Sequence, residues 1–312
     1  MEKHEVLRRL REIQRMKERL SAASSASIQI NGKPKADFQK GISVIIPTYK
    51  GENVIQVCLE SLHKQSLDQA LFDIIIVMNG DKDATEAIIR AFMEKTKMDN
   101  ITLLYSSKAN AASARNTGIE HANREYTYFL DDDDYLSANA LEELYRHASP
   151  DTVAISQIAD VGLDGRINYE NAINKQIMNE AKKTGTDYQS LHMVATINAC
   201  KLVPTHAVQN LRYKTELKSG EDVVFFTELF VKNELACKVV PIDKQATYFR
   251  VMRENSVSRQ RMTFDFHVKQ RLDVIACLDR LIPETFDAKK NLFVKQKMSA
   301  QAMFLNRYLK QY

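Results

Sequence analysis

Residues 126–136 read Tyr-Thr-Tyr-Phe-Leu-Asp-Asp-Asp-Asp-Tyr-Leu, an apolar run of strand length that ends in four consecutive carboxylates, Asp131, Asp132, Asp133 and Asp134. A buried strand emerging at such a cluster is costly, because like charges a few ångströms apart repel and raise one another's pKa. A cation relieves that repulsion. Oxygen donors with no His or Cys beside them suit a hard divalent ion such as Mg²⁺ or Mn²⁺, which usually also holds a substrate phosphate. The competing reading is a solvated acidic turn.

Working outward, the same strand grammar recurs upstream. Ile42–Pro47 (ISVIIP), Asp73–Met78 (DIIIVM) and Ile101–Ser106 (ITLLYS) are near-continuous aliphatic runs. Between them, helices are expected near 53–65, 85–97 and 111–122. Aliphatic strands alternating with helices predict a mostly parallel sheet covered on both faces, and in such sheets ligands bind beyond the carboxyl ends of the strands. Those ends carry the polar residues: Thr48-Tyr49-Lys50, Asn79-Gly80-Asp81, and the aspartates. Downstream the pattern loosens. A strand is expected over 152–158, loops and short elements over 160–190, and an apolar helix opened by Gly220-Glu221-Asp222. A strand near 238–242 follows, then two amphipathic helices over 264–281 and 289–308.

The 312 residues allow one large domain or two modest ones, and a 44% hydrophobic content supports a sizeable core. Cys58, Cys200, Cys237 and Cys277 are scattered without metal-finger spacing and read as reduced core residues. The N-terminus has no apolar core of signal-peptide type, so a cytoplasmic protein is expected. The net charge of +4 is unevenly spread, with residues 1–20 and 261–312 basic and the body between them mildly acidic. Val6, Leu10, Ile13, Met16 and Leu20 space an amphipathic helix with a basic polar face. Residues 21–40 read as a linker. Basic ends suit a polyanion or the inner face of a membrane as a peripheral partner, and the first helix suits pairing between copies of the chain. No zinc finger, aromatic RNA-binding signature or Arg-rich tract accompanies these charges, so nucleic acid is not expected as a partner.

Four motifs in order resemble glycosyltransferase family 2, the inverting nucleotide-sugar transferases of GT-A fold: SVIIPTYKGE (43–52), DIIIVMNGDKDAT (73–85), SARNTGIEHANREYTYFLDDDDYL (113–136) and GEDVVF (220–225). The resemblance covers about 41–260. It implies a GT-A (Rossmann-like) domain with a nucleotide-binding half, 41–135, and an acceptor-binding half, 136–260. Around that domain lie the helix and linker of 1–40 and a C-terminal helical extension, 261–312. It further implies a UDP-sugar donor, a glycan or lipid-linked acceptor in bacterial surface polysaccharide synthesis, and Mn²⁺ or Mg²⁺ as cofactor.

By the same resemblance, Thr48, Tyr49, Glu52 and Asn79 surround the base and ribose, and Arg115 reaches nucleotide or phosphate. Asp132 lies nearest the ribose, and Asp133 with Asp131 takes the metal. Asp134 orients the others or caps the next helix. Attack by an acceptor hydroxyl on the anomeric carbon needs a carboxylate to take its proton. The resemblance assigns that task to Asp222, supported by Glu221; on the residues alone, plain helix capping is the competing reading. Arg250, Arg253, Ser256 and Ser258 are expected to close over the diphosphate. A sugar nucleotidyltransferase would want a Gly-rich basic phosphate loop after the first strand, and residues 47–52 (PTYKGE) are not one. A second alternative is a catalytically degenerate scaffold or nucleotide-sugar-binding subunit.

Overall fold

The computed structural model describes residues 38–183, 187–253, 263–282 and 287–310. The N-terminal helix expected over 4–20, most of the linker, and Ser256 and Ser258 lie outside the described residues.

The first strand is almost wholly inaccessible beyond its first two residues. In β1 (Gln39–Thr48), Ile42, Val44, Ile45 and Ile46 are buried, as a strand covered by helices on both faces requires. It pairs in parallel with β2 (Phe72–Asn79) on one side and with β4 (Arg124–Phe129) on the other, and β2 pairs with β3 (Ile101–Ser106). The crossover segments between these parallel strands carry α1 (Ile55–His63), α2 (Thr85–Thr96) and α3 (Ala111–His121). Asn110 caps α3 by accepting from the Ser113 backbone NH at 2.8 Å. Gly118 lets that helix sit directly on the sheet, since a Cβ there would lie 2.3 Å from Ile45 Cγ2.

After β5 (Tyr135–Leu136) and α4 (Ala140–His147), the strand expected over 152–158 proves to be two. β6 (Thr152–Ile155) joins the main sheet, whereas β7 (Gln157–Val161) joins a second one. The chain changes sheets at Ser156, where the Ser156 NH reaches the Cys200 carbonyl and the Gln157 NH reaches that of Ala246. Both halves are buried, so apolar content alone does not reveal the break. β8 (Ile167–Asn168) and α5 (Ala172–Glu180) fill the polar stretch, and β9 (Lys201–Pro204) leads into α6 (Thr205–Val208). α7 (Glu221–Lys232) is followed by β10 (Ala236–Val239), which ends earlier than expected because Pro241 opens a tight turn, and then by β11 (Thr247–Val251).

The main sheet runs β10-β6-β9-β4-β1-β2-β3, and the smaller one β5-β11-β7-β8. β9 is antiparallel to both of its neighbours; the other pairings in the large sheet are parallel. Strand order reverses at β1, so the β1/β4 junction is the point where a crevice opens at the carboxyl edge.

The C-terminal segment does not stand apart. A wide helical turn at Asp265–Lys269 leads into α8 (Gln270–Asp279), and α9 (Ala288–Leu309) follows. Val268, Leu272, Leu278, Val294 and Met298 form a second apolar cluster with Val224 and Val231 of α7, while Phe293 enters the main core. Among the described residues, no helix is long and apolar enough to cross a membrane.

Candidate active site

The carboxyl ends of β1, β2 and β4 bring the first three motifs together. Thr48 Oγ1 donates to Asp132 Oδ2 at 2.5 Å, and Asn79 Nδ2 donates to the Thr48 carbonyl at 2.8 Å, so the ends of β1, β2 and β4 are tied side by side. Gly51 makes the first tie sterically possible, because a Cβ at that position would fall 2.4 Å from Thr48 Oγ1 and 2.8 Å from Asp132 Oδ2. Burial, opposed by the Thr48 hydrogen bond, pushes the Asp132 carboxyl up to about 6.

A cleft of about 240 Å³ opens beside these ties, lined by Thr48, Asn79, Gly80, Asp81, Lys82 and Tyr105 among others. Tyr49, half exposed, stands at its rim against Gly80, whose φ of +80° and close packing leave no room for a side chain. Glu52 points outward and accepts from the Ala84 NH at 3.2 Å, bracing the loop after β2. Asp81 stands at a strand end that the sequence marks, though with no role assigned to it, and Tyr105 is not anticipated from sequence. The Asp follows a recognised turn, but an aromatic residue near the end of an edge strand gives no local sign that it faces a ligand cleft.

The four aspartates share no side-chain partner among these contacts. Asp131 Oδ1 accepts from Arg115 Nη2 at 2.7 Å, Asp132 accepts from Thr48, and Asp133 Oδ2 pairs with Arg253 Nε at 3.0 Å. Asp134 is buried, accepting from Tyr248 Oη at 2.6 Å and from the Val251 NH at 2.8 Å. It therefore fastens β11 beneath the acidic loop and does not cap α4. Burial and its acidic neighbours raise its pKa well above the carboxylate range. Arg250, expected over the diphosphate, instead pairs with Asp160 at 2.6 Å, because β7 and β11 place these residues opposite one another.

Arg115, Asn116 and the nearby Gly118 each have a distinct structural task. Asn116 accepts from the Tyr213 NH at 2.7 Å and returns a bond to its carbonyl at 3.0 Å. Tyr213 stacks on Phe225 of α7 with centroids 3.9 Å apart. Arg115, 5% exposed, spans the remaining gap, with Nη2 on Asp131 and Nη1 on Glu221 Oε1 at 3.2 Å. It was read as a ligand for nucleotide or phosphate; both terminal nitrogens are instead engaged by carboxylates, one from the acidic loop and one from the start of α7. Those carboxylates hold its pKa above the usual guanidinium value despite burial.

Gly220, at φ +80°, occupies the N-cap of α7 without a side chain to cap it, so Glu221 and Asp222 form the first turn. Asp222 is partly exposed, and its Oδ1 accepts from the Val223 NH at 2.8 Å. Burial first, then Glu221, lifts its pKa to about 7, against the lowering influence of Arg115 and Lys201. A carboxyl poised near neutrality can receive a proton without being trapped as a weak base.

Among the described residues, no three His, Cys, Asp or Glu side chains converge as a ready-made metal cage. Asp131 and Asp133 nevertheless fit a hard cation: their side chains are 37% and 27% exposed, supply oxygen alone, and are held by single arginine contacts. Mg²⁺ commonly takes one or two protein carboxylates and completes its shell with water and substrate phosphate.

A mostly parallel sheet with a cleft and clustered carboxylates at its switch point defines an α/β domain whose candidate site lies beyond the carboxyl ends of its strands. The chain belongs to glycosyl transferase family 2, whose family model matches residues 43–209, more than half of its length. It is similar to the poly(ribitol-phosphate) β-N-acetylglucosaminyltransferase TarS of Staphylococcus aureus, at 24% identity over 270 residues, covering 85% of this chain and 44% of the relative. It is also similar to a poly(ribitol-phosphate) β-glucosyltransferase of Bacillus spizizenii, at 25% identity over 218 residues, covering 69% of this chain and 32% of that one. The chain thus spans less than half the length of either relative. Among solved structures, residues 1–349 of S. aureus TarS in complex with UDP-GlcNAc superpose with a TM-score of 0.63 at 22% identity, covering 86% of this chain and 73% of that one. The fold is therefore GT-A, as the motifs implied.

Proposed function

We propose that the protein is an inverting glycosyltransferase that moves a sugar from a UDP-sugar to a hydroxyl of a glycan or lipid-linked acceptor in bacterial surface-polymer synthesis. The observation that carries this reading is the Asp131–Arg115–Glu221 bridge, which fixes the acidic loop and the Asp222 turn relative to one another. The names of the poly(ribitol-phosphate) relatives support the polymer acceptor.

In this reading the cleft beside Thr48 and Asn79 takes the nucleoside, with Tyr49 and Glu52 at its margin and Asp132 nearest the ribose. Asp133 and Asp131 would hold Mn²⁺ or Mg²⁺, which supplies charge neutralisation for the diphosphate. The acceptor oxygen forms its bond to the anomeric carbon as the bond from that carbon to the diphosphate oxygen breaks. The hydroxyl proton passes to Asp222, and the bonding electrons leave with UDP. One displacement inverts the anomeric configuration. Arg253, which pairs with Asp133 at 3.0 Å, would turn from that carboxylate to the diphosphate of a bound donor.

Thermal shift with UDP, GDP and CMP, each with and without Mn²⁺, tests the donor and cofactor together. UDP plus Mn²⁺ is expected to stabilise more than either alone and more than the other nucleotides with Mn²⁺. If UDP with Mn²⁺ stabilises no more than Mn²⁺ alone, the uridine reading is lost.

A further inference from the structure

α9 is a helix of one charge sign. Its 22 residues, Ala288–Leu309, include five Lys or Arg and no Asp or Glu, and Lys310 follows directly. Three of these cations serve the protein itself. Lys289 Nζ pairs with Asp187 Oδ2 at 2.8 Å, Lys290 pairs with Glu234, and the buried Lys297 donates to the His192 carbonyl and, at 2.9 Å, to Thr196 Oγ1. Lys295, Arg307 and Lys310 are exposed, and among the described residues no carboxylate pairs with them.

The same side of the helix exposes large apolar side chains, with Leu292 53% and Met303 55% accessible. At about 100° per residue, Leu292, Ser299, Met303 and Lys310 fall on one line along the helix. Lys295 and Asn306 flank that line on one side, Gln296 and Arg307 on the other. At about 1.5 Å of rise per residue the stripe is about 27 Å long. The opposite side is fixed to the body: Phe293 enters the main core, and Val294, Met298, Leu305 and Tyr308 are buried in the second apolar cluster. The stripe is therefore presented ready-formed, and a surface that meets it has no helix to order.

We propose that this face of α9 is a docking surface for an anionic lipid bilayer, with Leu292 and Met303 entering the headgroup boundary and Lys295, Arg307 and Lys310 reaching the lipid phosphates. Charge complementarity selects the sign of the partner, because a negative leaflet attracts Lys and Arg within a Debye length. The apolar pair selects a membrane over a soluble polyanion, which would use the cations but gain nothing from burying Leu292 or Met303. The aliphatic stems of lysine and arginine lie along such a boundary with their charges in the phosphate layer. Three cations and two apolar side chains give a reversible, salt-sensitive attachment and not a permanent anchor. Sequence marks both ends of the chain as basic; the fold separates the cations of α9 that are left for a partner from those that hold the helix in place. Docking would keep the protein where a lipid-linked acceptor is presented, but the inference does not rest on the transfer reaction.

The test is co-sedimentation of the full chain with vesicles of phosphatidylcholine alone and of phosphatidylcholine mixed with phosphatidylglycerol. Binding is expected only where phosphatidylglycerol is present, and it should weaken as salt is raised. Each Lys or Arg near an anionic surface is worth about fivefold in partitioning, so Lys295→Gln with Arg307→Gln should bind about 25-fold more weakly. Lys64→Gln with Lys97→Gln makes the same change in net charge just beyond α1 and α2, and should bind as the wild type does. An equal loss in both double variants, or no loss in the first, overturns the proposal. Leu292→Gln with Met303→Gln should weaken vesicle binding while leaving binding to soluble polyphosphate unchanged. If it leaves vesicle binding untouched, the face is a general polyanion surface and the membrane assignment fails. If it instead turns a dimer into a monomer in sedimentation velocity, the face is a contact between copies of the chain and the assignment fails as well. All the altered side chains are exposed, so the variants should keep the wild-type circular dichroism. The vesicles carry neither donor nor acceptor, so failure of the proposed transfer would leave the result standing.

Discussion

Thr48 and Asp132, 84 positions apart, share a 2.5 Å hydrogen bond that joins the ends of the first and fourth strands at the switch point of the sheet. That bond offsets part of the burial, which still leaves the carboxyl raised from 3.8 to about 6. A folded pKa above the unfolded one means that the native state binds more protons in between, so this group's contribution to stability falls as pH rises from 3.8 through about 6. Asp132→Asn escapes that loss. Relative to wild type, it should gain on the order of 2 kcal/mol between pH 4 and pH 7, read by urea denaturation at the two pH values without ligand.

The Arg115 bridge makes a different prediction. Arg115→Met leaves Asp131 and Glu221 facing one another without their shared cation, and breaking a buried ion pair from one side costs about 3 kcal/mol. Denaturation midpoints would register the loss. Asp131→Asn paired with Glu221→Gln in the Arg115→Met background should recover part of it, which separates charge from packing.

Asp222→Asn removes the proposed proton acceptor while leaving the cleft beside Thr48 and Asn79 untouched. Transfer should fall about 10²- to 10⁴-fold with UDP affinity unchanged by calorimetry. Unaltered turnover would remove Asp222 as the base.

Metal dependence is read through Asp133→Asn. The expected outcome is that UDP alone still binds, whereas the additional stabilisation from Mn²⁺ disappears; chelation of the wild type should reproduce the variant. An equal Mn²⁺ effect in both proteins would move the metal away from Asp133.

Gly118→Ala tests the seating of α3. The added methyl would meet Ile45 Cγ2 at 2.3 Å, and overpacking of this kind costs about 1–3 kcal/mol. Because α3 carries Arg115, thermal denaturation and UDP binding should both suffer. Loss of stability alone would show that the helix can shift without disturbing the site.

The first half of the fold was legible because each aliphatic strand ends in a polar turn, and the observed strands and helices through residue 129 lie within a few positions of the expected ones. Ser156 shows why the second half was harder. The residues on both sides of it are buried, so a strand that changes sheets looks continuous in sequence. The carboxylates were visible as charges, but their partners were not. Nothing local distinguishes Arg115 bridging two carboxylates from Arg115 gripping a phosphate, or Arg250 facing Asp160 from Arg250 facing a ligand, because the partner lies across the sheet. Lys201 and Lys297, both buried, were least visible, since a lysine at one end of a short apolar strand or in a basic helix reads as solvated until neighbouring layers enclose it.

β9 gives the molecule a mechanical character. By running antiparallel between β4 and β6, it stitches the half of the sheet that carries the cleft beside Thr48 and Asn79 to the half built around β6 and β10. Two halves joined through an unbroken ladder of backbone hydrogen bonds cannot part like a jaw. Whatever entry and exit the substrates require must be provided by the loops along the carboxyl edge, while the floor beneath them stays rigid.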